Sequence, residues 1–377
     1  MTRPRDTVLS PPPPPLPQTP PALDPASPAQ VGPALLDYLR PRLGAGPLRF
    51  AEGPTPLTHG WEAHVHEFRL ETFPLLPAAY QRRLILRIYQ GAAGVPRARH
   101  EHAAQLRLHQ LGYPVPRPLL LEEDCAVLGG PFLVMEWVPG DTLLERLRGR
   151  FRRFLAIADC LAEMHLRLHA LPAAGFPAPA GDFLDRRLAE LDQLVGGYRL
   201  EGLAPGLDWL HAHRPAPDGP PSILHLDFHL ANLMAEEGRP PVVLDWGEAD
   251  VGDPHADVAM TWVLFHTAPV ALRTWREGVL AQPARWSMTR RYLLHYGKVR
   301  PLDDRRLRYY LAWAALRRLA VAGAWLRAGP QAQGFKASSA RHLTPAHLAD
   351  LCRCFRKGSG VRVGPPAPPA DSLARRP

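Results

Sequence analysis

The sequence predicts an α+β fold in two lobes, a smaller one opened by an antiparallel sheet with a helix and a larger one built mainly of helices. Three features carry that prediction. Strand-like segments crowd the first third of the chain, apolar residues recur at helical spacing through most of the remainder, and a Val138-Pro139-Gly140 turn divides the two patterns. A chain of 377 residues has room for both lobes and a substantial core.

Residues 1–33 are dominated by proline, including Pro11 to Pro15, and are expected to form a disordered arm, because they offer too few side chains to offset the entropy of ordering. The first lobe is assigned to residues 34–138. Its expected strands are Leu48 to Glu52, Glu62 to Leu70, Arg82 to Tyr89, Pro118 to Glu122 and Phe132 to Trp137. Between the third and fourth, Arg97 to Leu111 reads as a helix with Ala104, Leu108 and Leu111 on one stripe, stopped by Gly112 and Pro114. The second lobe, residues 139–357, opens with Phe154, Ile157, Leu161, Met164 and Leu168 at helical spacing, which predicts a helix from Arg152 to Leu171. Further helices are expected over Phe183 to Tyr198, Pro254 to Phe265, Arg285 to His295, Leu302 to Leu326 and Pro345 to Phe355. Residues 358–377, rich in Gly, Pro, Ala and Arg, are expected to be a disordered tail.

The formal charge of +9 comes from scattered arginines, with no long basic run and no basic stretch interleaved with aromatics, so nucleic acid is not an expected partner. Four cysteines are too few and too irregular for a disulfide scaffold, and Cys352 and Cys354 lack a second pair for a zinc site. A reducing, cytoplasmic setting is the expectation. Met1 to Ser10 is charged and leads into proline, which does not suit a secretory signal, and no apolar run reaches spanning length, so no membrane role is expected. Histidines recur in pairs at His64/His66, His100/His102 and His211/His213, without a companion ligand at metal-site spacing.

The chemistry is concentrated between Leu224 and Asp257. The stretch Ile223-Leu224-His225-Leu226-Asp227-Phe228-His229-Leu230-Ala231-Asn232-Leu233 sets an Asp and an Asn five residues apart on a loop, and Val242-Val243-Leu244-Asp245 is an apolar strand ending in a carboxylate. Phosphoryl transfer needs a carboxylate to take the proton of the attacking hydroxyl and oxygen ligands for magnesium. Any one of these residues alone would more often cap or bend a turn, but four acidic or amide positions in this order favour a catalytic site.

This HxDxxxxN loop followed by a strand ending in Asp resembles the aminoglycoside phosphotransferase and choline kinase family, relatives of the protein kinases, over most of residues 46–330. The resemblance implies a protein-kinase-like fold, with ATP or GTP as donor and magnesium as cofactor. It makes Asp227 the catalytic base, His225 a catalytic-loop scaffold residue, and Asn232 and Asp245 the magnesium ligands. Gly252-Asp253-Pro254 and Asp257 resemble the family's next motif, whose later Asp braces the loop. Only residues 246–252 separate Asp245 from Asp253, too few for the segment on which protein kinases seat a peptide, so the expected acceptor is a small molecule.

Kinase-like first lobes hold phosphate with a basic residue on the third strand, paired to a helix Glu. Arg87 stands at that position, no lysine precedes Lys298, and Glu101 falls on the inward stripe of the next helix. Thr55 to Trp61 is the candidate phosphate-covering loop, with Gly60 as its only glycine, and Met135 to Val138 the adenine-facing connector, with backbone groups near Glu136 and Val138. His229 is a candidate for lining the acceptor pocket. Residues 181–220 hold seven acidic side chains against four arginines, which hints at a cationic acceptor, and Trp209, Trp246, Trp262 and Trp313 are candidates to wall it, with core packing as their alternative. Arg87 and the thin glycine loop also leave a rival reading, a catalytically silent nucleotide-binding scaffold. The acceptor's identity and the oligomeric state stay open.

Overall fold

Strand alternation builds the first lobe. The computed structural model describes residues 23–44, 48–57, 63–147, 154–267 and 275–367. Strands β1 (Phe50–Leu57), β2 (Ala63–Leu70), β3 (Arg83–Tyr89), β4 (Pro118–Glu122) and β5 (Phe132–Glu136) form one antiparallel sheet in the order β1-β2-β3-β5-β4. With a period of two, Leu84, Leu86 and Ile88 join Phe68, Phe132 and Val134 in a core on one face, which leaves Arg87 and Tyr89 on the other. That second face receives α2 (Val95–Gln110), which buries Ala98, Glu101, Ala104 and Leu108.

The first face is closed by a helix that the sequence reading missed. Residues 28–33, expected to belong to the disordered arm, begin α1 (Pro28–Arg42), which buries Val31, Leu35, Tyr38 and Leu39 against the sheet. Their spacing is helical, but Pro28, Pro33 and Pro41 masked it. Pro28 sits at the helix start, where its missing N–H costs nothing, and burial of the apolar stripe carries Pro33. The Tyr38 hydroxyl then donates to Glu122 at 2.6 Å, tying α1 to the sheet's far edge.

A short helix, α3 (Cys125–Leu128), precedes β5, and the chain crosses to the second lobe at Gly140, whose φ of +102° only glycine adopts freely. A Cβ there would lie 2.2 Å from the Ala235 carbonyl oxygen. After β6 (Asp141–Thr142) and α4 (Leu143–Leu147) come the helices α5 (Phe154–His169), α6 (Phe183–Gly197) and α7 (Ala204–Ala212). The polar stretch that follows folds into β7 (Ser222–Leu224), β8 (Leu233–Ala235), β9 (Val242–Val243) and β10 (Asp250–Gly252), where β6, β8 and β9 make one small sheet and β7 pairs with β10. Helices α8 (Pro254–Thr267), α9 (Trp275–Val299), α10 (Asp304–Ala328) and α11 (Pro345–Ser359) complete the lobe.

The tail expected from Gly358 does not begin there. Gly358 and Ser359 close α11, and the chain beyond them packs back on the lobe: Gly364 N–H donates to Gly202 O at 2.9 Å. Gly206 and Gly323 make the room, since a Cβ at either would collide with Val363 or approach Pro366. Among the described residues no helix is long and apolar enough to cross a membrane.

Candidate active site

The loop after β7 is held in an unfavourable shape by one buried carboxylate. Leu226 and Asp245 both adopt left-handed backbone, φ 61° and 63°, which costs a non-glycine residue about 1–3 kcal/mol. Asp257, in the first turn of α8 and fully buried, accepts the His225 N–H at 2.6 Å and the Leu226 N–H at 2.7 Å. It thus braces the loop as the motif implied. Burial alone would raise the Asp257 carboxyl, but His165 and His169 bring their Nε2 atoms to 2.9 and 3.2 Å and hold it well below the usual range.

These two histidines escaped the sequence reading, which weighed pairs two apart. Theirs is a helical spacing of four on α5, matched by Tyr292 and Tyr296 on α9, whose hydroxyls lie 2.6 and 2.7 Å from the two Nδ1 atoms. Burial lowers His169 to about 3, so it stays neutral. His165, His169 and Asp257 place donor atoms within 4.8 Å of one another, a metal-compatible cluster, but the tyrosines and the loop amides already engage it.

With the loop fixed, its side chains converge. Asp227 and Asp245 are each about one-third exposed, at 32% and 33%. Asn232 donates through Nδ2 to both the carbonyl and the carboxylate of Asp227 at 3.0 Å, which turns its amide oxygen away from that residue. The Asn232 carbonyl accepts from Leu244 N–H at 2.8 Å, so the loop and the strand ending in Asp245 are stitched together. His229 Nε2 sits 3.4 Å from Asp227 Oδ2. Burial would raise Asp227, yet His229 and the nearby Arg318 bring it down to about 2, so it stands ionised. Both His225 ring nitrogens are engaged: one bonds the Leu244 carbonyl at 2.9 Å and the other accepts Asp227 N–H at 3.2 Å.

From the first lobe, Arg87 reaches down between two carboxylates, 3.2 Å from Glu101 and 3.1 Å from Asp245. Glu101 is fully buried, takes the Tyr89 hydroxyl as well, and is pushed up by burial against the pull of Arg87. Arg87→Met therefore strands a buried carboxylate and should destabilise the fold by about 3–5 kcal/mol, read as a lower urea midpoint. A loss below 1 kcal/mol would show that Glu101 does not depend on this arginine. In the connector, Glu136 N–H donates to Arg117 O and Trp137 N–H to Arg83 O, while Val138 N–H meets no acceptor among the described residues. Gly60 and the rest of the candidate phosphate loop from residue 58 lie outside the described residues, and Thr55 to Leu57 belong to β1.

Four of the seven acidic side chains of residues 181–220 are held in ion pairs. Asp182 and Asp185 pair with Arg214, Asp192 with His211, and Glu190 with Arg187 and Arg317. Trp246 and Trp313 are fully buried core residues. Glu248, in the short link after Asp245, joins Arg317 of α10 at 2.7 Å and Arg97 of α2 at 3.7 Å, a bridge between lobes that no sequence spacing announces.

A sheet lobe over a helical lobe, with a loop Asp and Asn beside a strand-end Asp at their junction, defines a protein-kinase-like fold. Residues 55–302 match the model of the phosphotransferase enzyme family, and the chain belongs to that family, a class of small-molecule kinases. Among relatives, it is 28% identical over 91% of its length to acyl-CoA dehydrogenase family member 10 of Mus musculus and spans 33% of that protein. It is 29% identical over 35% of its length to an aminoglycoside 3'-phosphotransferase of Escherichia coli, covering 51% of that enzyme. The fold is shared with a putative aminoglycoside phosphotransferase from Ralstonia eutropha, at TM-score 0.56 and 21% identity, over 87% of this chain and 95% of that one. It is shared too with a thermostable aminoglycoside phosphotransferase APH(4)-Ia in complex with ADP and hygromycin B, at TM-score 0.57 and 18% identity, over 87% and 100%.

Proposed function

We propose that this protein transfers the γ-phosphate of a nucleoside triphosphate, ATP or GTP, to a hydroxyl of a small molecule, with magnesium as cofactor. The observation that carries the reading is the convergence of Asp227, Asn232 and Asp245 beneath Arg87. Asp227, ionised and oriented by Asn232, would accept the proton of the attacking hydroxyl. The Asp245 carboxylate and the Asn232 amide oxygen are hard oxygen donors of the kind magnesium prefers, and these two residues would hold it. Bound there, the ion would neutralise charge on the phosphates. Arg87, permanently charged and braced by Glu101, would grip phosphate oxygens, and the Glu136 carbonyl with the Val138 N–H would bond the base. Residues 246–249 lead from Asp245 straight into β10 and then α8, which favours a small acceptor over a peptide.

The test is a thermal-shift titration beside an assay of acceptor-dependent ADP release. AMP-PNP should raise Tm more with magnesium than with EDTA, and Asp245→Ala should abolish the magnesium increment. Nucleotide binding without transfer to any acceptor would favour the silent scaffold instead. Full turnover by Asp245→Ala would overturn the assignment.

A further inference from the structure

The start of α2 is tied to the second lobe by three contacts, and one of them comes from a segment far along the chain. Arg97, His100 and Glu101 lie within about one helical turn of one another. His100 Nε2 sits 2.7 Å from the Ala249 carbonyl oxygen, and Arg97 reaches Glu248 at 3.7 Å. The same Arg97 guanidinium lies 4.7 Å from the centre of the Phe335 ring.

Phe335 is presented by a built turn. After α10, Pro330 is buried, the Phe335 N–H donates to the Pro330 carbonyl at 3.1 Å, and Gly334 takes the left-handed φ of +79° that closes the turn. Trp325 of α10 fixes it further, donating its indole N–H to Gln333 at 3.0 Å and packing on the Phe335 ring with centroids 4.7 Å apart. Glu248 is held by the same helix, since Arg317 meets it at 2.7 Å. Both partners of Arg97 are therefore set by α10.

What α2 carries makes its placement matter. Glu101, one turn beyond Arg97, pairs at 3.2 Å with Arg87, which also meets Asp245 at 3.1 Å. Those distances hold only while the start of α2 keeps a fixed height over the link after Asp245. Ala104 and Leu108 seat the far end of α2 in the second lobe's core. The end bearing Arg97 meets that lobe through polar and aromatic contacts instead, which open more readily than a packed core.

We propose that Arg97 is a positioning residue for nucleotide binding, and that residues 330–335 form a strap from α10 which, with Glu248, holds it where Glu101 sets Arg87 over Asp245. The proposal rests on the phosphotransfer reading above and adds to it the residues that keep the two lobes in register. A slack strap populates an arrangement with Arg87 off Asp245, and the apparent affinity for nucleotide falls with the population of the competent one.

Calorimetric titration of the full chain with AMP-PNP and magnesium tests this, run well below the Tm of every variant so that lost stability alone does not enter. Phe335→Leu keeps an apolar group against Trp325 and removes the ring face from Arg97. It should weaken AMP-PNP binding by about 2- to 30-fold, the span of a cation–π contact from exposed to desolvated. Phe335→Tyr keeps the face and should bind as the wild type does. Arg97→Met leaves Glu248 paired with Arg317, so it strands no charge, and should weaken binding at least as much as Phe335→Leu. In the double variant the two losses should fall short of their sum, because both remove one contact. Wild-type affinity in Phe335→Leu, failure of Phe335→Tyr to recover it, or strictly additive losses each overturn the proposal.

A second arm needs no nucleotide. Amide hydrogen exchange over residues 99–104 should quicken in Phe335→Leu while α8 keeps the wild-type rate, and unchanged protection of α2 overturns the proposal. Failure of the wild type to bind AMP-PNP would sink the phosphotransfer reading, whereas faster α2 exchange in Phe335→Leu would leave the strap standing.

Discussion

Asp227→Asn should lower kcat by about 10²- to 10⁴-fold while the affinity for magnesium and AMP-PNP changes only a few-fold, on the scale at which general bases contribute. The reason lies in the neighbours. Asparagine keeps the shape that Asn232 and His229 contact, 3.0 and 3.4 Å away, and removes only the capacity to take a proton. Burial opposes ionisation of Asp227, but His229 and Arg318 outweigh it and hold the carboxyl at about 2, so the carboxylate proposed as the base is ionised throughout the neutral range. A variant retaining a tenth or more of wild-type kcat would remove Asp227 from the role of base and leave it as a loop-shaping residue. Nucleotide titration by calorimetry separates that outcome from misfolding.

Asp257→Ala should cost about 3–5 kcal/mol of stability, the penalty expected when one partner of a fully buried charged network is deleted. The carboxylate serves four groups at once, the N–H groups of His225 and Leu226 and the Nε2 atoms of His165 and His169. With it gone, nothing offsets the left-handed backbone of Leu226. The pH dependence follows from the direction of the shift. Because the folded Asp257 carboxyl lies well below its ordinary value, its contribution is complete above about pH 4, the unfolded value, and is lost as pH falls toward the folded one. Urea melts should therefore show wild type losing more stability than Asp257→Ala between pH 5 and pH 3. Parallel losses in the two proteins would mean that this carboxylate does not couple the loop to α8.

Much of the site was legible in the sequence because its members lie close along the chain. His225, Asp227, Asn232, Asp245 and Asp257 fall in a single stretch, and their order on a loop, a strand end and a helix start already points to phosphoryl transfer. Arg87 and Glu101 could be paired across α2 because a strand period and a helix period each fix which side chains turn inward, and the 3.2 Å contact is what those periods imply. The misread parts have a common cause. In α1, three prolines outweighed a sound apolar stripe, since propensity is local and the sheet that rescues the helix is not. Residues 360–367 read as tail because their anchors are glycines at 202, 206 and 323, whose value as empty space is invisible until the helices pack.

The sequence by itself determined the two-lobed class, the strand-to-helix order and which of Asp227, Asn232 and Asp245 lie close together, because each depends on spacing along one segment. Only the tertiary structure decided the charges. The acidic surplus of residues 181–220 hinted at a cationic acceptor, but four of its seven carboxylates are paired, Asp182 and Asp185 with Arg214, Asp192 with His211 and Glu190 with Arg187 and Arg317. Ion pairing is a property of distance in space, and residues 64 to 158 positions apart settle it here: Arg186 on Asp250, Arg317 on Glu190, and Arg87 on Asp245.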